Sequence, residues 1–285
     1  MPRSGIGRTA SVVLGLAALL PSCDGEGDDR LTVVASFYSL AFAAEQVGGP
    51  GVEVIDLTPP GSDAHDVELS FRDRTALQSA ELVLYLGDIG FQPQVERAIP
   101  DATGEVVLAA TSIEGDDPHV WLDPLVFAEM AERVAAGYAR VDQGKADGYR
   151  TRAEKLRTRL DELHERYLTT LAQCRLATIL VTHDAFGYLA ERYGLEQVGL
   201  AGVSPEGEPT SESLVHAERL VRDEDVEAIF YEETEEGRRI AETVGADLGI
   251  SALPLATLES SPARGTYLTV MDANLDSLAE GLRCE

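Results

Sequence analysis

The chain has 285 residues, with 23 Lys and Arg against 50 Asp and Glu and a formal charge of −27 at neutral pH. Such a surface argues against nucleic acid as a partner, because phosphate binding needs a basic face. It favours solubility and modestly concentrates cations near the protein.

The first 22 residues read as a leader. Arg3 and Arg8 form a short basic region, and residues 10–20 are mostly apolar. That run is too short for a bilayer-spanning helix, which needs about 20 residues, so it is expected to be a signal peptide. Leu20-Pro21-Ser22-Cys23 places a small residue before a cysteine just after the apolar stretch. This resembles a bacterial lipoprotein signal, with Cys23 as the lipidated first residue of an extracytoplasmic, membrane-anchored protein. Removal of Arg3 and Arg8 takes the side-chain charge from −27 to −29. Residues 23–30 are rich in Gly and acid, a composition that keeps a tether extended.

The remaining length suits two domains. Residues 31–36 form a β-rich apolar run, as expected of a strand covered on both faces. A helix around residues 40–46 follows, then a strand at 52–57, a helix at 71–79 and a strand at 81–86. A short helix at 93–99 and a strand at 105–109 complete this part. Strand–helix alternation implies a parallel sheet with helices on its faces. Between residues 145 and 173 the pattern changes. Tyr149, Ala153, Leu156, Leu160, Leu163 and Tyr167 recur at intervals of four and three, one apolar stripe on a long helix. His164 falls off that stripe and is expected to face solvent.

A second series of strands is then expected at 177–181, 197–200, 227–231 and 251–255, with helices at 185–193, 211–222, 237–248 and 267–283. The fold expected is α/β: two lobes, residues 31–144 and 174–285, each a roughly four-stranded parallel sheet with flanking helices. One long rigid helix, residues 145–173, joins them. Cys174 and Cys284 bracket the second lobe. In an oxidising compartment such a pair usually bonds, and closing a loop of about 110 residues is worth roughly 4–5 kcal/mol. Metal ligation by these thiols is the alternative, weakened because neither belongs to a Cys-x-x-Cys pair.

Three of the five histidines, His65, His119 and His183, lie just past strand-like runs. Open α/β sheets place ligand groups there, beyond the carboxyl ends of their strands. Thr58-Pro59-Pro60-Gly61-Ser62-Asp63-Ala64-His65 is a stiff turn leading to one imidazole. In Asp117-Pro118-His119-Val120-Trp121-Leu122-Asp123-Pro124, two Asp/Pro turns and the single Trp surround the second, and a helix starts at Pro124. Val181-Thr182-His183-Asp184 puts the third at a strand-to-helix switch, where Asp184 is expected to cap the helix. Three imidazoles on separate loops suit Zn²⁺, and Mn²⁺, which prefers more oxygen, suits them less. Protonation below about pH 6 is expected to expel the ion.

These segments, with Thr182-His183-Asp184-Ala185-Phe186-Gly187-Tyr188, Glu191-Arg192-Tyr193-Gly194-Leu195 and Ser204-Pro205-Glu206-Gly207-Glu208-Pro209, resemble the zinc- and manganese-binding solute receptors of bacterial ABC transporters. So does the final helix, from Tyr267-Leu268 to Asn274-Leu275. The resemblance spans residues 31–284. It implies two lobes bridged by a rigid helix, with one metal ion in the cleft. It implies handover to a membrane permease with its cytoplasmic ATPase, in the zinc branch, with His65, His119 and His183 as ligands. It also implies the Cys174–Cys284 pair. The position where many members supply an Asp ligand is Ala256, so a water, Glu259 or Glu232 is expected to complete the tetrahedron. A monomer, anchored to the membrane only by lipid, is the expected state.

Three histidines with an open position also describe catalytic zinc, so a zinc hydrolase or lyase is the competing class. No His-Glu-x-x-His helix and no Gly-x-Ser-x-Gly turn supplies the rest of such a site. A receptor, not an enzyme, is therefore expected. A metal-chaperone or adhesion lipoprotein remains the third class.

Overall fold

The computed structural model describes residues 1–2, 30–110, 113, 115–203, 209–232 and 234–285. The leader, Cys23, most of the tether and most of the 204–209 loop lie outside the described residues. Among those described, no helix is long and apolar enough to cross a membrane.

The first lobe opens with β1 (Leu31–Ala35), whose inner residues Val33, Val34 and Ala35 are fully buried. Helix α1 (Tyr38–Gly48) crosses to β2 (Val52–Asp56), then come α2 (Phe71–Ser79), β3 (Leu82–Tyr85), α3 (Pro93–Ala98) and β4 (Glu105–Leu108). The strands pair in parallel in the order β2-β1-β3-β4. Helix α4 (Pro124–Val141) starts at a proline, where the missing N–H costs nothing, and the Asp123 side chain accepts the Leu125 N–H.

Helix α5 (Ala146–Leu171) is the long element expected between the lobes. Its 26 residues span about 39 Å. Tyr149, Ala153, Leu156, Leu160, Leu163, Tyr167 and Leu171 are its buried residues, one stripe at helical spacing. That stripe packs on α4, on α1 and on the final helix. His164 departs from the expectation: it is half-buried, and its Nδ1 lies 3.2 Å from the Tyr193 hydroxyl.

The second lobe repeats the first. It runs β5 (Thr178–Val181), α6 (Gly187–Tyr193), β6 (Glu196–Gly199), α7 (Ser211–Asp223), β7 (Ala228–Tyr231), α8 (Glu235–Leu248), β8 (Ser251–Pro254) and α9 (Tyr267–Gly281). Its parallel order, β6-β5-β7-β8, reproduces that of the first sheet. Asp184 does not cap α6 as expected. A tight turn, Ala185 N–H to His183 O, delays the helix to Gly187, and the Asp184 carboxylate accepts from the Gln197 amide instead. Cys174 and Cys284 are bonded across 110 residues, tying the end of α5 to the end of α9.

Candidate metal centre

All three expected histidines stand at carboxyl ends of strands. His65 follows β2, His119 follows β4, and His183 follows β5 by two residues. The turn carrying His65 is held by two kinds of hydrogen bond. Asp63 accepts the His65 N–H at 2.7 Å, and the buried Gln92 amide reaches the carbonyls of Ala64 and Ser36. Phe91 packs edge-on against the His65 ring, with centroids 4.7 Å apart. Trp121 stands 5.2 Å from the fully buried ring of His119.

The rings converge. Centroids of His65 and His119 lie 5.5 Å apart, and those of His119 and His183 5.7 Å apart. The fourth group is Glu259, from the loop after β8. Its Oε1 is 3.0 Å from His119 Nε2 and 3.9 Å from His65 Nε2. Ligand atoms of His65, His119 and Glu259 all fall within 4.8 Å of one another, the spacing a single ion can bridge. Ala256, the position at which many of the resembling receptors supply an aspartate, offers no ligand. Its backbone is instead held on both sides by the Asn274 amide.

The Glu259 loop belongs to the second lobe in sequence but is fastened to the first. Trp121 Nε1 donates to Thr257 O at 2.7 Å, the Ser39 hydroxyl to Leu258 O at 2.8 Å, and Tyr38 N–H to Glu259 O at 3.1 Å. These bonds hold Leu258 at φ 58°, a left-handed conformation that a branched side chain adopts only when its surroundings require it. The turn aims the Glu259 carboxylate at the histidines. Of the four convergent groups, His183 alone comes from an element of the second lobe without such fastenings.

The electrostatics follow from burial and pairing. Burial alone would strip His119 of its charge. Hydrogen bonds to Asp117 (Nδ1 to Oδ1, 2.7 Å) and to Glu259 overcome that cost and raise its pKa well above neutral. Burial likewise opposes the Glu259 carboxylate, but the same bond and the nearby imidazoles hold its pKa far below the usual carboxylate range. His183 is pushed down to about 4 by burial and by the charge of His119. His65 is lowered for the same two reasons, with Glu259 opposing. Glu232, just past β7, is pushed up to about 8 by burial and by repulsion from Glu259 and Asp63.

Both ring nitrogens of His183, and Nε2 of His65, are buried without a hydrogen-bond partner. Buried polar atoms are ordinarily satisfied, and leaving one bare costs about 1–3 kcal/mol. Three such atoms beside a carboxylate are what a cation-binding cluster looks like. Three nitrogens and one oxygen match the donors of a tetrahedral zinc site. A cavity of about 470 Å³, lined by Asp63, Glu232, Thr234 and Glu259 among others, leads to the cluster.

The model of the family described as zinc-uptake complex component A, periplasmic (ZnuA), matches residues 33–281. The high-affinity zinc uptake system protein ZnuA of Bacillus subtilis is 28% identical over 289 residues, covering 92% of this chain and 90% of that protein. The zinc-binding lipoprotein AdcA of Streptococcus pneumoniae is 26% identical over 295 residues, covering 93% of this chain but 58% of AdcA, so this chain spans little more than half of that relative. Among solved structures, the laminin-binding protein of Streptococcus agalactiae, described as having adhesin and metal-transporting activity, superposes with a TM-score of 0.82. It is 29% identical, with 88% of this chain and 99% of that one covered. The Zn(II)-bound ZnuA-like domain of S. pneumoniae AdcA gives 0.78 at 26% identity, covering 89% and 99%.

Proposed function

The chain belongs to the ZnuA family of periplasmic zinc-uptake components, and from that premise we propose that its cleft captures one Zn²⁺ ion between His65, His119, His183 and Glu259. Members of this family are receptors of zinc transport, not enzymes, and work with the permease and ATPase of an ABC importer. The observation that carries the ligand assignment is the convergence of three donors within 4.8 Å, with the bare, buried nitrogens of His183 beside them. With Glu259 as fourth donor the tetrahedron is closed, which leaves no open position for the reactive water of a hydrolase.

In this reading the lobes are residues 31–144 and 174–285, and residues 145–173 form the strut that limits their movement. The protein acts as a monomer. His65, His119 and Glu259 form a seat fixed to the first lobe, and His183 closes on the ion from the second. Nitrogen-rich coordination favours Zn²⁺ over Mn²⁺, which prefers more oxygen. Protein purified without added metal is therefore expected to contain zinc. In competition it retains Zn²⁺ against a hundredfold excess of Mn²⁺; displacement by Mn²⁺ would overturn the metal assignment.

Cys23 is the lipid attachment point in this reading, supported by the Leu20-Pro21-Ser22-Cys23 sequence and by the lipoprotein name of AdcA. Substitution Cys23→Ser is expected to move the protein from the membrane fraction to the soluble extracytoplasmic fraction. Unchanged membrane association of that variant would count against the anchor.

A further inference from the structure

Glu232 takes no part in the four-donor set, yet its side chain is buried and faces the same cavity. Its Oε1 lies 3.5 Å from Nδ1 of His183. His183 has no hydrogen-bond partner at either nitrogen among the described residues, and the Glu232 carboxylate stands within a small shift of its Nδ1. The other fully buried imidazole shows what such a pairing looks like when complete. His119 presents Nε2 to the site and keeps Nδ1 against the Asp117 carboxylate at 2.7 Å. Asp117 precedes His119 by two residues on one loop. Glu232 reaches His183 from the neighbouring strand instead, because β5 and β7 are paired in the sheet and both side chains leave at their carboxyl ends.

The position of Glu232 is built rather than incidental. Its carbonyl accepts the Thr234 N–H at 2.7 Å, in the turn that opens α8. Gly237, in the first turn of that helix, leaves the room its side chain occupies: a Cβ there would stand 3.1 Å from Glu232 Cγ and 3.0 Å from Glu232 O. A neutral imidazole carries one N–H, and the nitrogen that binds metal must be the other one. A carboxylate at Nδ1 therefore selects the tautomer with Nε2 free, fixes the ring plane and makes Nε2 a better donor.

We propose that Glu232 is the positioning residue of His183. It accepts the Nδ1–H when Nε2 binds the ion, so that each lobe contributes a histidine backed by its own carboxylate. Glu232 is then not a ligand. Because His183 is the one donor not fastened to the first lobe, the strength of this pair sets how firmly the second lobe holds the ion. The inference rests on the ligand assignment proposed above.

The test compares the full mature chain with E232Q, E232D and E232A, using Zn²⁺ titration against a chelator of known affinity and the visible spectrum of the Co²⁺-loaded proteins. Outer carboxylates of zinc-bound histidines are worth about 10–100-fold in affinity. E232Q and E232A are expected to weaken Zn²⁺ binding by about that factor, and E232D to recover part of it. In all three, the Co²⁺ bands keep the positions and intensity of a four-coordinate N₃O site. Nitrogen NMR of the zinc-loaded protein should show a His183 Nδ1–H resonance that moves in E232Q, which a merely structural role would not produce. Unchanged affinity in E232Q, an unmoved His183 resonance, or Co²⁺ bands shifted as for a lost ligand would each overturn this proposal while leaving the three-histidine site standing. Failure of the parent protein to bind Zn²⁺ or Co²⁺ would overturn the ligand assignment and this proposal together.

Discussion

Replacing His119 with alanine is expected to lower zinc affinity by at least about a hundredfold, whereas His164→Ala leaves it unchanged. Zinc held by four protein ligands is worth about 10–16 kcal/mol, so one ligand in four carries roughly 3 kcal/mol, and 1.4 kcal/mol is a factor of ten. His119 stands to lose more than that share. It is fully buried, and among the described residues it is the one hydrogen-bond partner of the Glu259 carboxylate. Without the imidazole, Glu259 becomes a buried charge facing Asp117, and stranding one partner of a buried pair costs about 3–5 kcal/mol. The variant should therefore also unfold at a lower temperature. His164 lies on α5 with its Nδ1 on the Tyr193 hydroxyl, and its loss touches no donor. Calorimetric zinc titration of the two variants decides the matter. Equal effects, or retained affinity in the His119 variant, would undo the site.

Much of this site is legible in the sequence, for a physical reason. Histidines 65, 119 and 183 each follow a short apolar run bounded by Pro, Gly or Asp, and parallel sheets collect the ends of such runs on one edge. The strands showed because both faces of each sheet are covered, leaving unbroken runs such as Leu82-Val83-Leu84-Tyr85, all buried. The stripe on α5 showed because only one of its faces is buried. Glu259 was harder to see. The sequence left it level with Glu232 and water as candidates for the fourth position. What separates the two glutamates is the tilt of one turn, set by Leu258 at positive φ and by hydrogen bonds from Ser39 and Trp121. Those donors lie 219 and 136 residues away along the chain, beyond the reach of any local pattern. The failed cap at Asp184 has a similar cause. Spacing put a carboxylate at the helix start, but Gln197 on the adjacent strand claimed it and the chain turned once more before the helix.

The same pairing that makes Glu259 hard to see makes zinc capture a proton exchange. A free imidazole would compete with the metal only below about pH 6, the expectation drawn from the sequence. In the folded protein His119 is held protonated through neutrality by Asp117 and Glu259, so the ion must expel a proton at pH 7. His183, with its pKa near 4, is already neutral and releases none. Glu259, held far below the ordinary carboxylate range, is already ionised. The sign follows: a ligand whose pKa is raised binds metal more weakly at every pH below that value. Zinc affinity should therefore fall at least about tenfold for each unit of acidification from pH 7 to pH 5, about a hundredfold or more in all. The slope steepens further near pH 4, where His183 begins to take a proton. Calorimetry at pH 7 in two buffers of different ionisation enthalpy counts the protons directly. One proton per ion from His119 is the expected result, with a second from Glu232, pushed up to about 8 in the free protein, where it ionises to take the His183 Nδ1–H. None would mean that His119 is neutral in the free protein. Three would mean that His65 or His183 is charged there as well, and either count would break the link between the buried His119–Glu259 pair and release of the ion.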